Sequence, residues 1–101
     1  MRFVRRVEFD PEAETDLLAD VEYLERERSG YGDRFLTAVY QAFDLIDEFP
    51  GIGRASLGRT RRLTLSDFTY DIVYRVSDDL IYIFAIAHHS RRRNYWRKRL
   101  R

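Results

Sequence analysis

Two adjacent histidines near the end of the chain stand among arginines and a tyrosine, residue types that transfer protons and bind phosphate. His88 could act as a general base, or contact a phosphate beside Arg91 and Tyr95. The alternative is a structural histidine at the end of a strand, hydrogen-bonded to its neighbours. Adjacent residues of a strand point to opposite faces, so His88 and His89 cannot chelate one ion. With no other histidine and no cysteine, the sequence predicts no metal site and no cofactor.

Arginine is the dominant basic residue, and it is concentrated in two clusters. Residues 88–101 hold seven basic groups and no acidic one, and four more arginines lie within positions 54–62. Such clusters favour a polyanion or an acidic protein as partner, whereas the alternative is a solvated, arginine-rich tail. The candidate target- or nucleic-acid-binding residues are Arg61, Arg62, Arg91, Arg92, Arg93 and Arg97.

Aromatic side chains interleave with the C-terminal arginines. Tyr95 and Trp96 could stack on the bases of a single-stranded nucleic acid. Trp96 and Leu100, four positions apart, could instead anchor a short helix on a sheet, and we favour packing for Trp96.

Composition excludes several classes of protein. The chain has 101 residues and a formal net charge of +1, and its length suits one hydrophobic core. The longest mainly apolar run, residues 80–87, is far shorter than the roughly 20 residues of a membrane span. No phosphate-binding loop and no serine nucleophile motif is evident. We therefore expect a single domain over residues 1–101, in the cytoplasm of its cell.

Two helices are predicted in the first half of the chain. Asp10 and Pro11 are typical of the cap and first position of a helix, which is expected to end at Ser29-Gly30. A second helix follows, with Asp33 as a possible N-cap, and it is expected to stop at Pro50. The short link between them favours a helical hairpin.

Strands are predicted before and after the two helices along the sequence. Alternating apolar residues predict strands over 3–9 and 70–76, and a short strand is predicted over 61–65. Residues 80–88 are apolar on both faces, which is typical of a central strand, and glycines mark residues 51–58 as a loop. The element order is thus β-α-α-β-β-β, which favours an α+β fold with an antiparallel sheet packed on the helical hairpin. The basic C-terminus is expected to form a short helix or a tail.

The face on which His88 lies follows from the pattern of the last strand. If that strand is regular, His88 shares a side with Tyr82, Phe84 and Ile86.

The chain resembles the RelE/ParE superfamily of toxins from bacterial type II toxin–antitoxin modules, along nearly its whole length. Each matching segment is short, and their order and spacing together carry the resemblance. The segments are Phe9–Glu14, Arg34–Leu36, Phe49–Gly53, Arg62-Leu63, Phe68–Tyr70, Ile72–Arg75, Tyr82-Ile83, Ala85–His88, Arg91-Arg92 and Tyr95-Trp96.

The resemblance implies a microbial-RNase-like fold and a cognate antitoxin as partner. The C-terminal segment of such an antitoxin folds as it wraps around the toxin. The N-terminal domain of the antitoxin binds operator DNA, so the toxin would be linked to that DNA indirectly, through the antitoxin. A basic surface on the sheet would suit an acidic antitoxin segment.

The resemblance leaves the molecular target open between two branches. RelE-like members cleave mRNA on the ribosome, and Arg62, His88, Arg91 and Tyr95 would be the catalytic residues of that reaction here. ParE-like members inhibit DNA gyrase without chemistry of their own. Asp71 stands where the ribonuclease branch typically has arginine, and a carboxylate there would repel the scissile phosphate. We therefore favour the ParE-like branch; a non-toxic basic binding module is a further alternative.

Overall fold

Five strands form one sheet in the computed structural model of the chain, which describes residues 4–100. The four strands of the predicted pattern are present, and a fifth, of two residues, lies in the segment predicted as a loop. Their bounds are β1 Arg6–Phe9, β2 Arg54–Ala55, β3 Arg61–Thr64, β4 Tyr70–Val76 and β5 Leu80–His88. The order across the sheet is β1-β5-β4-β3-β2. Strand β1 begins at Arg6, and the predicted start at residue 3 lies outside the described residues.

The sheet is mixed, and this corrects the expectation of a wholly antiparallel sheet. Strand β1 pairs with β5 in parallel, with Val7 opposite Ile81, whereas the other neighbours pair antiparallel. A parallel pair needs a long crossover connection, and the helices and strands between β1 and β5 supply it. The α+β class and the packing of two helices on the sheet are confirmed.

Both predicted helices are present. Helix α1 covers Pro11–Glu27, and the Asp10 carboxylate caps it by accepting a backbone hydrogen bond of 3.0 Å from its first turn. Helix α2 covers Tyr31–Glu48 and follows Gly30, whose φ of 84° favours glycine. Asp33 was wrong as the N-cap, because it lies inside the first turn. Neither helix of the described chain is long and apolar enough to cross a membrane.

The sheet buries both of its faces. One face packs against the helices through a core that includes Phe35, Val39, Ile72 and Ile83. The opposite face is covered by the C-terminal segment, in which fully buried Trp96 packs with the second core cluster. Packing is thus confirmed for Trp96, and Leu100 packs against the same cluster. The expected basic C-terminal helix is one turn of 3-10 helix, Arg97–Arg99.

A β-bulge changes which side chains share a face of β5. The register with β4 shifts so that Val73 lies opposite Ala85 and Tyr74 opposite Ile83, which leaves Phe84 as the extra residue. Tyr82 and Phe84 therefore belong to the face under Trp96, whereas Ile86 belongs to the helix-packed face. The expectation that His88 shares a side with Tyr82 and Phe84 was wrong, because it assumed a strand without a bulge.

Candidate functional site

Most of the predicted site residues line a cleft with a volume of about 560 Å³, located where β5 ends and β4 begins. Strands β2 and β3 supply one wall, and the segment after β5 supplies the other. We call it the basic cleft and define it by Arg54, Arg62, Asp71, His88, His89, Arg91, Arg92, Arg93 and Tyr95.

Asp71 lies at the centre of the basic cleft and is bonded by four side chains. Its Oδ2 accepts hydrogen bonds from Arg62 Nε at 3.1 Å and from Arg54 Nη2 at 3.2 Å. Its Oδ1 accepts bonds from Thr64 Oγ1 at 2.7 Å and from His89 Nε2 at 2.9 Å. Because the residue is only 2% exposed, this carboxylate is a structural hub for the two strands around it.

The network holds Asp71 in its ionised form. Burial works to raise the pKa of Asp71, but hydrogen bonds from Thr64 and His89, with the charge and hydrogen bond of Arg62, lower it from 3.8 to about 2. The cleft therefore carries a fixed negative charge at neutral pH. Arg62 Nε donates a hydrogen bond to the Asp71 carboxylate, so the positive charge of Arg62 is largely neutralised before any phosphate binds.

His88 is held by bonds to both of its ring nitrogens. Ser90 N donates to His88 Nδ1 at 2.9 Å, and Ser90 Oγ lies 2.7 Å from the same atom. Since Nδ1 accepts a backbone hydrogen bond, the neutral ring carries its proton on Nε2, 3.0 Å from Thr69 Oγ1. A general base needs a free lone pair, and the local turn occupies the one that His88 has.

Tyr95 packs against cations and has a buried hydroxyl. The Arg91 guanidinium carbon lies 3.8 Å from the centroid of the Tyr95 ring, which is a cation–π contact. The Tyr95 hydroxyl is buried, with no hydrogen-bond partner among residues 4–100. Burial raises the pKa of Tyr95, and the charges of Arg91 and Arg99 offset this only in part. The ring thus supports Arg91 and is poorly suited to form a phenolate.

The remaining predicted binding residues divide into two groups. Arg92 and Arg93 are exposed and line the basic cleft. Arg61 lies outside it and donates from Nη1 to the Gly53 carbonyl at 2.8 Å. Arg97 is exposed on the terminal 3-10 turn and does not line the cleft either. The structure therefore brings together Arg62, His88, Arg91, Tyr95, Arg92 and Arg93, and places Arg61 and Arg97 elsewhere.

Three contributors to the site were missed by sequence reasoning. Arg54 and His89 were seen as basic residues but were not assigned to the site, and both bond Asp71. Arg99 was not singled out at all. A sequence signal existed for the hub itself, since Asp71 is a charged residue within the strand predicted over 70–76, where a carboxylate needs partners.

Arg99 fastens the C-terminal segment to the start of α1. Its Nη1 donates to the Phe84 carbonyl at 2.8 Å, where the β-bulge lies. Its Nε pairs with Glu12 at 3.1 Å and its Nη2 with Asp16 at 3.3 Å. The side chain is only 7% exposed, so these bonds form in a largely desolvated setting. The wall of the basic cleft after β5 is thereby tied to the helix layer.

Asp20 on α1 is a half-buried acidic group near the same wall. Burial and, to a smaller extent, the charge of the neighbouring Asp16 raise the pKa of Asp20 from 3.8 to about 6, against the opposing charge of Arg91. An ionised Asp20 is therefore less stable in the folded protein than in the unfolded chain, where its pKa is ordinary.

We expect Asp20→Asn to stabilise the protein at pH 7 by about 1 kcal/mol, a value that discounts the pKa shift for partial exposure. The folded state binds more protons than the unfolded chain between pH 3.8 and about 6, so wild-type stability falls as the pH rises through that range. Urea denaturation at about pH 4 and pH 7 measures this. The exposed Asp44→Asn is the matched control; an equal gain for both variants at both pH values would contradict the assignment.

No group of three or more histidine, aspartate or glutamate side chains among residues 4–100 is placed to hold a metal ion. The exposed arginines of the cleft can bind anionic or acidic groups.

Comparison with known proteins assigns the family. Residues 7–93 match the family model described as the ParE toxin of type II toxin–antitoxin system, parDE. A solved structure, a chromosomal ParDE toxin–antitoxin system from P. aeruginosa, has a similar fold with a TM-score of 0.65 at 18% identity. The match covers 84% of this chain and 96% of that one. No curated protein matches the chain. With 87 consecutive positions matched by the family model, the chain belongs to the ParE toxins of type II toxin–antitoxin systems.

Proposed function

We propose that this protein is a growth-inhibiting toxin that acts in the cytoplasm of a bacterium by inhibiting DNA gyrase and is neutralised by a cognate antitoxin. The ParE family membership supports a toxin with such a partner. The single observation that favours a binding mechanism over a nucleolytic one is Asp71, an ionised and fully bonded carboxylate at the centre of the basic cleft. A negative charge at that point opposes the scissile phosphate that a ribonuclease must stabilise.

The other residues considered for catalysis support the same proposal. His88 uses its basic nitrogen in a turn, and Tyr95 has a buried hydroxyl with a raised pKa. Among the cleft arginines, Arg91, Arg92 and Arg93 are exposed and take part in no ion pair with the described residues, whereas Arg54 and Arg62 are paired with Asp71. Because Arg91 is stacked on the Tyr95 ring, Arg92 and Arg93 are the groups best placed to contact an acidic surface of the target.

Ribosome-dependent cleavage of mRNA is the second candidate. One observation favours it: Arg62, His88, Arg91 and Tyr95 all line one cleft. In that mechanism the arginines would stabilise the charge on the phosphate, and His88 and Tyr95 would transfer protons.

Purified gyrase and purified ribosomes separate the two candidates. We expect the protein to inhibit supercoiling of relaxed plasmid and to leave ribosome-bound mRNA intact. His88→Ala and Tyr95→Phe should keep their inhibitory activity, because a proton-transfer residue contributes about 100-fold or more to a rate and a packing residue at the edge of the cleft does not. Arg92→Gln combined with Arg93→Gln should weaken inhibition.

Pulse labelling of cells gives the same answer in vivo. Within minutes of inducing the protein alone, we expect thymidine incorporation to fall before methionine incorporation. An early fall in methionine incorporation, together with activity lost in a well-folded His88→Ala variant, would contradict the gyrase proposal and favour mRNA cleavage.

A further inference from the structure

A second positively charged hollow lies at the opposite end of β3 and β4 from the basic cleft. It has a volume of about 400 Å³ and is bordered by the turn after α2 and the turn after β4. We call it the arginine hollow and define it by Arg5, Arg59, Arg61 and Arg75, with Pro50 and Gly51 on one rim and Asp78 on the other.

Backbone carbonyls hold the guanidinium groups of this hollow in place. Arg5 Nε donates to the Ser77 carbonyl at 3.0 Å, and Arg61 Nη1 donates to the Gly53 carbonyl at 2.8 Å. Arg75 Nη2 donates to the Gly58 carbonyl. Arg5 and Arg61 therefore use part of their donor sets for orientation and keep other N–H groups for a ligand. Arg75 is held more firmly, because its Nε is buried and its guanidinium carbon lies 5.0 Å from the centroid of the Phe84 ring.

The charge of the arginine hollow is not neutralised by the protein. Arg5 is paired with buried Asp47 at 3.4 Å, but Arg59, Arg61 and Arg75 form no ion pair with any residue of the described chain. Among residues 4–100, Asp78 on the rim is the one carboxylate that lines the hollow. Three like charges in a small hollow repel one another, and a bound anion would relieve that repulsion.

One of the arginines of the hollow, Arg59, has a strained backbone conformation. Arg59 has a φ of 62°, in the left-handed region that a residue with a Cβ seldom adopts, and Gly58 before it has a φ of 66°. A strained, non-glycine residue is retained where the surrounding structure or a ligand compensates for it. No bond of the Arg59 side chain to another described residue accounts for the conformation.

The rim favours a protein segment over a nucleic-acid backbone. Phe49 and Ile52, which flank Pro50 and Gly51, are 54% and 41% exposed. Their turn is held rigidly, because the Tyr74 hydroxyl donates to the Pro50 carbonyl and accepts from Gly53 N, each at 3.0 Å. A phosphate backbone offers nothing to these apolar side chains, and a continuous polyanion would also meet Asp78. An acidic peptide can place carboxylates on the arginines and an apolar side chain on the rim.

We infer that the arginine hollow is a docking site for a carboxylate-bearing, partly apolar segment of the cognate antitoxin, separate from the basic cleft. The inference rests on the proposed function, since it takes the antitoxin as the partner. The inference adds to that function the place where the antitoxin contacts the toxin and the chemistry of the contact. In this arrangement the antitoxin can bind the toxin without occupying the surface that contacts the target.

Binding of full-length toxin variants to the purified cognate antitoxin tests the inference. We expect Arg59→Gln with Arg61→Gln to weaken affinity by about 30-fold and to flatten its dependence on salt, because two attractive charges are lost. The matched control, Arg26→Gln with Arg28→Gln, removes the same charge from exposed positions on and after α1 and should stay within about twofold. Both double variants should inhibit gyrase as the wild type does, so a failure of gyrase inhibition in the wild type would count against the proposed function alone.

Two further measurements test whether a loss of binding is due to misfolding and whether the antitoxin itself covers the hollow. Arg59→Gly suits the left-handed conformation and should keep wild-type stability while still weakening antitoxin binding. The antitoxin should also protect Arg59 and Arg61 of wild-type toxin from modification by phenylglyoxal, and leave Arg28 reactive. The inference is overturned if antitoxin affinity is unchanged in the double variant, or if that variant instead loses affinity for a DNA duplex or for gyrase.

Discussion

Arg99→Ala is expected to lower the free energy of unfolding by about 3 kcal/mol, a large part of the stability of a small domain. The side chain is nearly buried, and it bonds the Phe84 carbonyl together with the carboxylates of Glu12 and Asp16. Removing it leaves those groups without their cation and loosens the segment that covers one face of the sheet. The melting temperature should fall by about 15 °C.

Tryptophan fluorescence reports this change directly, because Trp96 is the only tryptophan of the chain and is fully buried under the segment that Arg99 holds. We expect a red-shifted emission in the Arg99→Ala protein before global unfolding. The neighbouring Lys98→Ala is the matched control and should behave as the wild type, since Lys98 is exposed. Arg99→Lys should recover only part of the stability, because an ammonium group cannot repeat the planar set of bonds. Identical emission and stability in all four proteins would contradict the role given to Arg99.

Asp71→Asn is expected to destabilise the protein by a similar amount, about 3 kcal/mol. The native carboxylate accepts hydrogen bonds from Arg62, Thr64 and His89, and an amide would turn an N–H₂ group towards some of these donors. It would also leave Arg62, whose side chain is 18% exposed, beside the strands without its counter-charge. The loss should appear in denaturant unfolding as a lower midpoint with an unchanged slope.

The pH dependence of this loss provides the check. The pKa of Asp71 is lower in the folded protein, about 2, than in the unfolded chain, 3.8, so its stabilising contribution is complete above about pH 4 and disappears as the pH falls towards 2. Wild type and Asp71→Asn should therefore converge in stability at low pH. The exposed Asp67→Asn serves as control and should show no such convergence. A constant difference between wild type and Asp71→Asn from about pH 7 to pH 2 would show that the lost shape, and not the lost charge, is responsible.

These two residues also connect stability to function in the basic cleft. Asp71 sets the charge at its centre, and Arg99 fixes the wall that carries Arg91, Arg92 and Arg93. A variant of either residue is therefore expected to reduce toxicity in proportion to the folded fraction, and its activity should be compared per folded molecule.

Local sequence patterns were sufficient to predict most of the helices and strands and the family. Local patterns were sufficient for the capped start of α1 at Asp10, for the alternation that bounds β4, and for the limits of β5, because capping and period-two burial depend on near neighbours. The resemblance to the RelE/ParE superfamily was confirmed on the ParE side by the family match over residues 7–93. The role of Trp96 also followed from sequence, since a large aromatic side chain gains most by being buried.

The way in which those elements present their side chains depends on contacts between distant parts of the chain. Parallel pairing of β1 and the bulge at Phe84 depend on partners far apart in the chain, and the bulge alone moved His88 away from the face expected for it. Asp71 is 17 and 18 positions from Arg54 and His89, and Arg99 is 87 positions from Glu12, so no local pattern predicts those bonds. Charge along the sequence showed where arginine is abundant. Which arginines are neutralised and which remain free for a partner depends on contacts that form when the chain folds.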